Sequence, residues 1–335
     1  MPSPRTPARS RVITIAALAL AAFAGGLSAA RQVPPPPEGA PTTPALTRLL
    51  ADREVVSVSA GYKYAEGPLW HPDGYLLFAD SPRDRILKWD PASKAVTVFR
   101  EPSAGATALG FDAEGRLLAT EHRNRRISRT ERDGSIVTLV NQYQGKRLNS
   151  PNDFVVSRTG SVFFTDPPYG LPRQTEGKEL DFQGVYRLDP NGRLRLLVRD
   201  MVRPNGIGLS PDERTLYVSD TERKHLRAFG LKDDGTVDEG RVLAEMQPWK
   251  SGLQGVPDGL VVTSQGHVLV TGPGGVWVFD GNGGRLGVIP TPEPPAACAF
   301  GDPDGKTLYI TARTRVYRIR MTIGAPERRR GAPSA

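Results

Sequence analysis

One structural unit is written six times along this chain, and that repetition constrains the fold more than any single residue does. Each copy holds a short apolar strand, a turn containing Gly or Asp, and a second apolar strand that ends in a small or acidic residue. The second strands show it best: Leu76-Leu77-Phe78-Ala79-Asp80, Leu117-Leu118-Ala119-Thr120-Glu121, Val162-Phe163-Phe164-Thr165-Asp166, Leu216-Tyr217-Val218-Ser219-Asp220, Val268-Leu269-Val270-Thr271-Gly272 and Leu308-Tyr309-Ile310-Thr311. The turns at Gly74, Gly115, Gly160, Glu213, Gly266 and Gly305 lie 41, 45, 53, 53 and 39 residues apart. That is the size of a four-stranded propeller blade. Third strands follow most pairs, such as Arg85 to Trp89 and Gly184 to Leu188, and fourth strands follow most of those, such as Ile136 to Val140. The expected fold class is all-β, a six-bladed β-propeller. The sixth copy lacks a fourth strand, and a spare strand, Glu54 to Val58, precedes the first copy. That N-terminal strand is expected to complete the last blade, closing the ring and leaving no open edge. No stretch carries a long helical period.

The chain of 335 residues holds 36 glycines and 31 prolines, spread along its length as many short strands and tight turns require. Its first 30 residues read as a signal peptide: Arg5, Arg9 and Arg11, then an uncharged apolar run from Val12 to Gly26, then Leu27-Ser28-Ala29-Ala30. The apolar run is short for a membrane span, which needs about 20 residues. A periplasmic or secreted protein is expected, with no stable membrane insertion after cleavage. Residues 31–45 read as a Pro-rich linker, 46–322 as the propeller and 323–335 as a disordered basic tail. The formal charge is +8, but without the signal arginines and the tail Glu327 to Arg330 only about +3 belongs to the folded part. No basic stripe with interleaved aromatics occurs, so a nucleic-acid partner is not expected. Cys298 is the single cysteine, which excludes an internal disulfide, and its apolar strand reads as core.

The turns also set a phase. Eight residues before them stand Glu66, Thr107, Asn152, Asn205, Asp258 and Ala297. The first strand of a blade lines the central channel, so these positions form a ring near one mouth. Asn and Asp often cap turns, and any one of them alone would be read that way. Four polar ligands at one repeat phase instead describe an oxygen cage: two carboxylates and two amides whose charge matches one divalent cation. All-oxygen ligation favours Ca2+, with Mg2+, Mn2+ and Zn2+ as alternatives. The second strands end at the same mouth, which brings Glu121, His122 and the Asp166-Pro167-Pro168-Tyr169-Gly170 loop to the rim as candidate substrate contacts. Asp80 and Asp220, at the matching ends, read as turn caps. There is no Gly-x-Ser-x-Gly elbow or other nucleophile arrangement.

These segments resemble the senescence marker protein (regucalcin)/gluconolactonase family, its bacterial gluconolactonase-like branch in particular. The resemblance rests on Glu66-Gly67-Pro68-Leu69-Trp70, Asn149-Ser150-Pro151-Asn152-Asp153, Phe164 to Gly170, Arg203-Pro204-Asn205-Gly206 and Pro257-Asp258-Gly259. It implies a propeller whose divalent metal is bound at Glu66, Asn205 and Asp258. Asn152 would touch metal or substrate, and Asp258 would accept and donate the proton. It also implies a small-molecule sugar lactone as substrate, D-glucono-1,5-lactone foremost, hydrolysed to the acid. The animal branch carries a substrate-contacting arginine where this chain has Ser150, so the substrate contacts are expected to differ. Similar propellers hydrolyse phosphotriesters or aryl esters, and others bind a sugar or protein without catalysis; these are the rival readings. The sequence leaves oligomeric state undetermined.

Overall fold

The second strands dictate the architecture, because both of their faces are apolar and both must be covered. In the computed structural model every second strand is buried along nearly its whole length. The structure describes residues 37–326 and Met1. Six four-stranded antiparallel sheets follow in order. Their innermost strands are Ala65–His71, Ala106–Phe111, Phe154–Val156, Pro204–Leu209, Leu260–Val262 and Ala297–Gly301. Each touches the next, and the last touches the first, which closes a ring. A two-stranded ribbon, Gln142–Tyr143 with Lys146–Arg147, stands between blades 2 and 3.

Six apolar clusters fill the spaces around that ring. Between blades 3 and 4, Phe163 and Val185 meet Ile207, Leu216 and Val218. Between blades 6 and 1, Tyr309 and Val316 meet Leu76, Phe78 and Trp89. A twisted sheet cannot bury either face alone, so each blade depends on two neighbours.

The seam is closed as expected, two residues further along than the sequence pattern placed it. Val56–Ala60 pairs antiparallel with Arg315–Arg320, joining Val56 to Arg318 and Ala60 to Arg315. Packing extends past both expected boundaries of the propeller. Pro41 accepts from Val288 at 2.7 Å and Thr43 donates to Leu286 at 2.6 Å. Thr43 also caps a short helix, Pro44–Leu49, whose Leu46 and Leu49 enter the blade 5–6 core. So the last residues of the expected linker dock on blade 5. At the other end Ile323 is buried in the same core, and Ser264 donates to the Gly324 carbonyl at 2.8 Å. The expected signal peptide beyond Met1 and residues 327–335 lie outside the described residues. Among the described residues no helix is long and apolar enough to cross a membrane.

If closure of the seam holds the ring together, a chain beginning at Gly61 leaves the Arg315–Arg320 edge unpaired. Light scattering after size exclusion should show that chain associating into larger species, whereas the full domain elutes without the shift.

Candidate metal and active site

Local irregularity aims the ring residues at the axis. In blades 1, 2 and 4 the inner pairing slips next to the ring position, between Glu66 and Leu69, Ala106 and Leu109, and Pro204 and Ile207. In blades 3 and 5 the ring residue stands just ahead of the strand. There Asn152 donates to Thr165 at 3.0 Å and Asp258 to Thr271 at 3.1 Å. Such bulges turn one side chain out of the regular alternation.

Neighbouring blades are latched together at this level. The second-strand hydroxyl of one blade donates to the carbonyl of the next blade's ring residue: Thr120 to Asn152 at 3.0 Å, Thr165 to Asn205 at 2.7 Å and Ser219 to Asp258 at 2.8 Å. Thr107 adds a bond of 2.8 Å to the Asn152 carbonyl. The approach is close enough to demand glycine beside the ring. A β-carbon on Gly206 would lie 2.2 Å from the Asp258 carbonyl oxygen, and one on Gly67 the same distance from that of Thr107. One step outward, buried acids clamp the chain as it comes into the inner strands of blades 1, 3 and 4. Asp80 accepts from the Lys63 and Tyr64 amides, Asp166 from Asn149 and Ser150, and Asp220 from Val202 and Arg203.

A directional hydrogen-bond chain runs along one side of the ring. An amide oxygen only accepts, so the His122 Nε2–H donates to Asn152 Oδ1, at 3.1 Å. Asn152 Nδ2 donates to Asn205 Oδ1 at 2.6 Å, and Asn205 Nδ2 to Thr221 Oγ1 at 3.1 Å. Thr221 then donates to the Pro257 carbonyl at 2.7 Å. Both amide nitrogens are thus spent sideways, and each Oδ1 keeps a lone pair for the axis. Burial pulls the His122 imidazole down to about 4, so it is neutral at physiological pH.

The ring carboxylates are left with their charge unanswered. No arginine or lysine pairs with Glu66 or Asp258 among the described residues. Burial, then the Asp258 and Asp153 carboxylates, push Glu66 well above the ordinary range. Burial and Asp153 push Asp258 up to about 8. Asp153 itself, one residue deeper in the channel, is pushed to about 7 by burial, although the Phe154 and Ile207 amides bond it. Among the described residues no three His, Cys, Asp or Glu side chains form a metal cluster. The cage therefore depends on its two amides. Two uncompensated carboxylates beside two amide oxygens are the donor set of a hard divalent cation.

The other expected contacts divide. Tyr169 comes to the ring, its hydroxyl 3.5 Å from Asn205 Nδ2. His122 reaches it through Asn152. Glu121 does not: its carboxylate is fully buried and closed off by Arg100, Arg126 and Asn124. In place of a substrate contact it is a structural anchor, as Asp80 and Asp220 are. Ser150 is also fully buried, accepting from Gly170 at 2.9 Å and donating to Pro167 at 2.7 Å, so it fastens the loop that carries Tyr169. Cys298 is core, as expected, and burial raises its thiol. Sequence reasoning missed Tyr64, whose phenol is raised first by burial and then by the nearby Glu66 and Asp258 charges. It also missed Asp153 as a channel carboxylate and the latch hydroxyls. The recurrence of Thr or Ser just before the last residue of the second strand was the available signal.

Comparison with known proteins agrees with the propeller fold. The SMP-30/gluconolactonase/LRE-like region matches residues 64–314. The chain belongs to that family. It is similar to a gluconolactonase of Zymomonas mobilis, 35% identical over 288 residues that cover 78% of this chain and 80% of the relative. A pentonolactonase of Haloferax volcanii is 30% identical over 263 residues, covering 76% and 83%. Among solved structures, a Xanthomonas campestris gluconolactonase superposes with a TM-score of 0.77 at 35% identity, covering 86% of this chain and 95% of that one. These relatives are lactone-hydrolysing carboxylic-ester hydrolases. A calcium-binding regucalcin of Agrobacterium tumefaciens, 20% identical with a TM-score of 0.67 over 82% and 96% of the two chains, shares the fold.

Carboxylates whose folded values are raised favour folding below their unfolded values near 4, and that contribution is lost as pH rises through the folded values. With Asp153 near 7 and Asp258 near 8, chelated protein should lose thermal stability progressively between about pH 4 and 8. Added Ca2+ should restore it most at the alkaline end. Removing one charge with Glu66→Gln should raise the melting temperature of chelated protein by about 2 °C or more and abolish its response to Ca2+. Differential scanning calorimetry reads both.

Proposed function

We propose that this chain is a divalent-metal-dependent lactonase acting on a sugar lactone, D-glucono-1,5-lactone foremost, in the periplasm or outside the cell. The observation that carries the reading is the convergence of Glu66, Asn152, Asn205 and Asp258 on one axis with two carboxylate charges unpaired. The enzymatic class, a carboxylic-ester hydrolase opening lactones, follows from its family and from relatives that are lactonases along most of their length. The choice of Ca2+ draws on the all-oxygen donor set. The export reading rests on Arg5, Arg9 and Arg11 ahead of the apolar run to Gly26.

A divalent cation held by the four residues would polarise the lactone carbonyl and offset the charge that grows on its oxygen. The chain's own residues do the rest. Water adds to the carbonyl carbon as Asp258 takes its proton. The ring C–O bond then breaks, and Asp258 returns that proton to the leaving ring oxygen, giving the hydroxy acid. Burial and Asp153 raise the proton affinity of Asp258 in the metal-free protein, and a bound cation would offset that rise, so its action as a base would rest on a carboxylate oxygen left free of the metal. Asn152 and Asn205, locked by His122 and Thr221, fix the floor on which the substrate rests. Tyr169 stands beside Asn205 as a wall for the sugar face.

The deciding assay is pH-stat hydrolysis of D-glucono-1,5-lactone and paraoxon, side by side, after chelation and re-addition of single metals. Lactone hydrolysis should vanish with chelation and return with Ca2+, and Asp258→Asn should lower kcat by about 10³-fold while circular dichroism stays β-rich. Wild-type turnover in Asp258→Asn removes the base assignment. Paraoxon hydrolysis without lactone hydrolysis moves the substrate class.

A further inference from the structure

Two residues ahead of the ring phase, a second set of positions marks where the chain enters the inner strands: Tyr64, Gly105, Ser150, Arg203, Val256 and Pro295. The chain bends at Tyr64, Gly105 and Arg203 just before each turns into its strand. Arg203 is the set's single charged member. Its backbone is fixed on both sides, the amide donating to Asp220 at 3.2 Å and the carbonyl accepting from Thr221 at 3.0 Å. Its guanidinium carbon sits 5.9 Å from the centre of the Tyr169 ring, the same ring whose hydroxyl lies 3.5 Å from Asn205 Nδ2. The side chain is 35% exposed, and its one ion pair, Nε to the exposed Glu222, spans 3.7 Å. Such a pair holds little. Among the described residues its terminal nitrogens meet no protein acceptor. Four other arginines near this mouth are spent, Arg85 on Asp80, Arg100 and Arg126 on Glu121 and Arg125 on backbone carbonyls, while Arg313 stands exposed on the blade 6 rim.

The geometry points to Arg203 as the substrate-orienting residue of this site, a planar donor fork beside the Tyr169 ring that binds the hydroxyl groups of a polyhydroxylated lactone. This assignment rests on the lactonase reading of the ring. The physical case is complementarity. A sugar lactone offers hydroxyl oxygens on its edge and C–H groups on its face. The ring of Tyr169 suits the face, and adjacent N–H donors of a guanidinium suit a pair of hydroxyls. Ser150 is not available for that role, since its hydroxyl is buried and committed to the Pro167 to Gly170 loop. The pinned backbone of Arg203 also lowers the freedom the arginine must give up on binding.

The test compares wild type, Arg203→Gln and Arg313→Gln on D-glucono-1,5-lactone and on δ-valerolactone, which has no hydroxyls. Arg313 is an exposed arginine on the blade 6 rim and controls for loss of one positive charge at the mouth. A charge-assisted hydrogen bond to substrate corresponds to about a tenfold change or more. Arg203→Gln should therefore raise KM for gluconolactone about tenfold with kcat held within about threefold, leave kcat/KM for δ-valerolactone unchanged, and differ from Arg313→Gln, which should match wild type on both. An unchanged KM in Arg203→Gln overturns the assignment. So does an equal loss on both lactones, which marks a structural role, or the same loss in Arg313→Gln, which marks long-range charge alone. If wild type hydrolyses neither lactone, the lactonase reading fails by itself. Arg203 is then judged by calorimetric binding of D-gluconate: weakening of about tenfold in Arg203→Gln sustains it, and equal binding overturns it.

Discussion

The hydroxyl-to-carbonyl latch between neighbouring blades is the interaction on which the rest depends. Thr120, Thr165 and Ser219 each bind the backbone of the next blade's ring residue. The same contact does two things. It fixes the spacing of adjacent inner strands, and it fixes the backbone carbonyl of three ring residues, Asn152, Asn205 and Asp258. Gly67 and Gly206 are required because this approach leaves no room for a β-carbon. The apolar clusters between blades supply the burial that holds the latches shut, and the strand Val56–Ala60 keeps the ring from opening at its seam.

A scaffold held this firmly can carry charge that a looser one would neutralise or expel. Glu66, Asp153 and Asp258 repel one another in a buried channel, and no basic side chain answers them. Left alone, that arrangement opposes folding at alkaline pH. Were the ring to hold a cation, as proposed above, that stability would be given up where binding is gained. The amides sharpen the same point. Their nitrogens are tied sideways in the chain from His122 to Thr221, so their oxygens need no rearrangement to face a cation.

The rim is organised separately from the ring. Acids at the ends of the second strands are turned inward as anchors, and Glu121 belongs with them. Its two arginine partners and Asn124 leave it nothing to offer a ligand. Ser150 works in the same way, as a fastener for the loop that delivers Tyr169. What faces the mouth is therefore a small set of side chains, Tyr64, Tyr169, Arg203 and His122, carried on segments whose backbones are pinned.

The sequence by itself determined the number of blades, their strand order, the closing strand and the phase at which four polar residues recur. It could do so because each of these follows from local periodicity: apolar runs need cover on both faces, and turns at regular spacing set the register. The helix at Pro44–Leu49 and the docking of Ile323 were not legible, because short segments beside prolines carry no period of their own. Only the tertiary structure decided which polar residues near the mouth are free. Glu121 ends a second strand, Tyr169 follows one and Arg203 precedes a first strand, and nothing in their local sequence separates the committed from the free. Their partners, Arg100 from blade 1, Asn205 from blade 4 and the Tyr169 ring, come from other blades. Which of them meets a ligand depends on contacts between blades, and no local pattern encodes those.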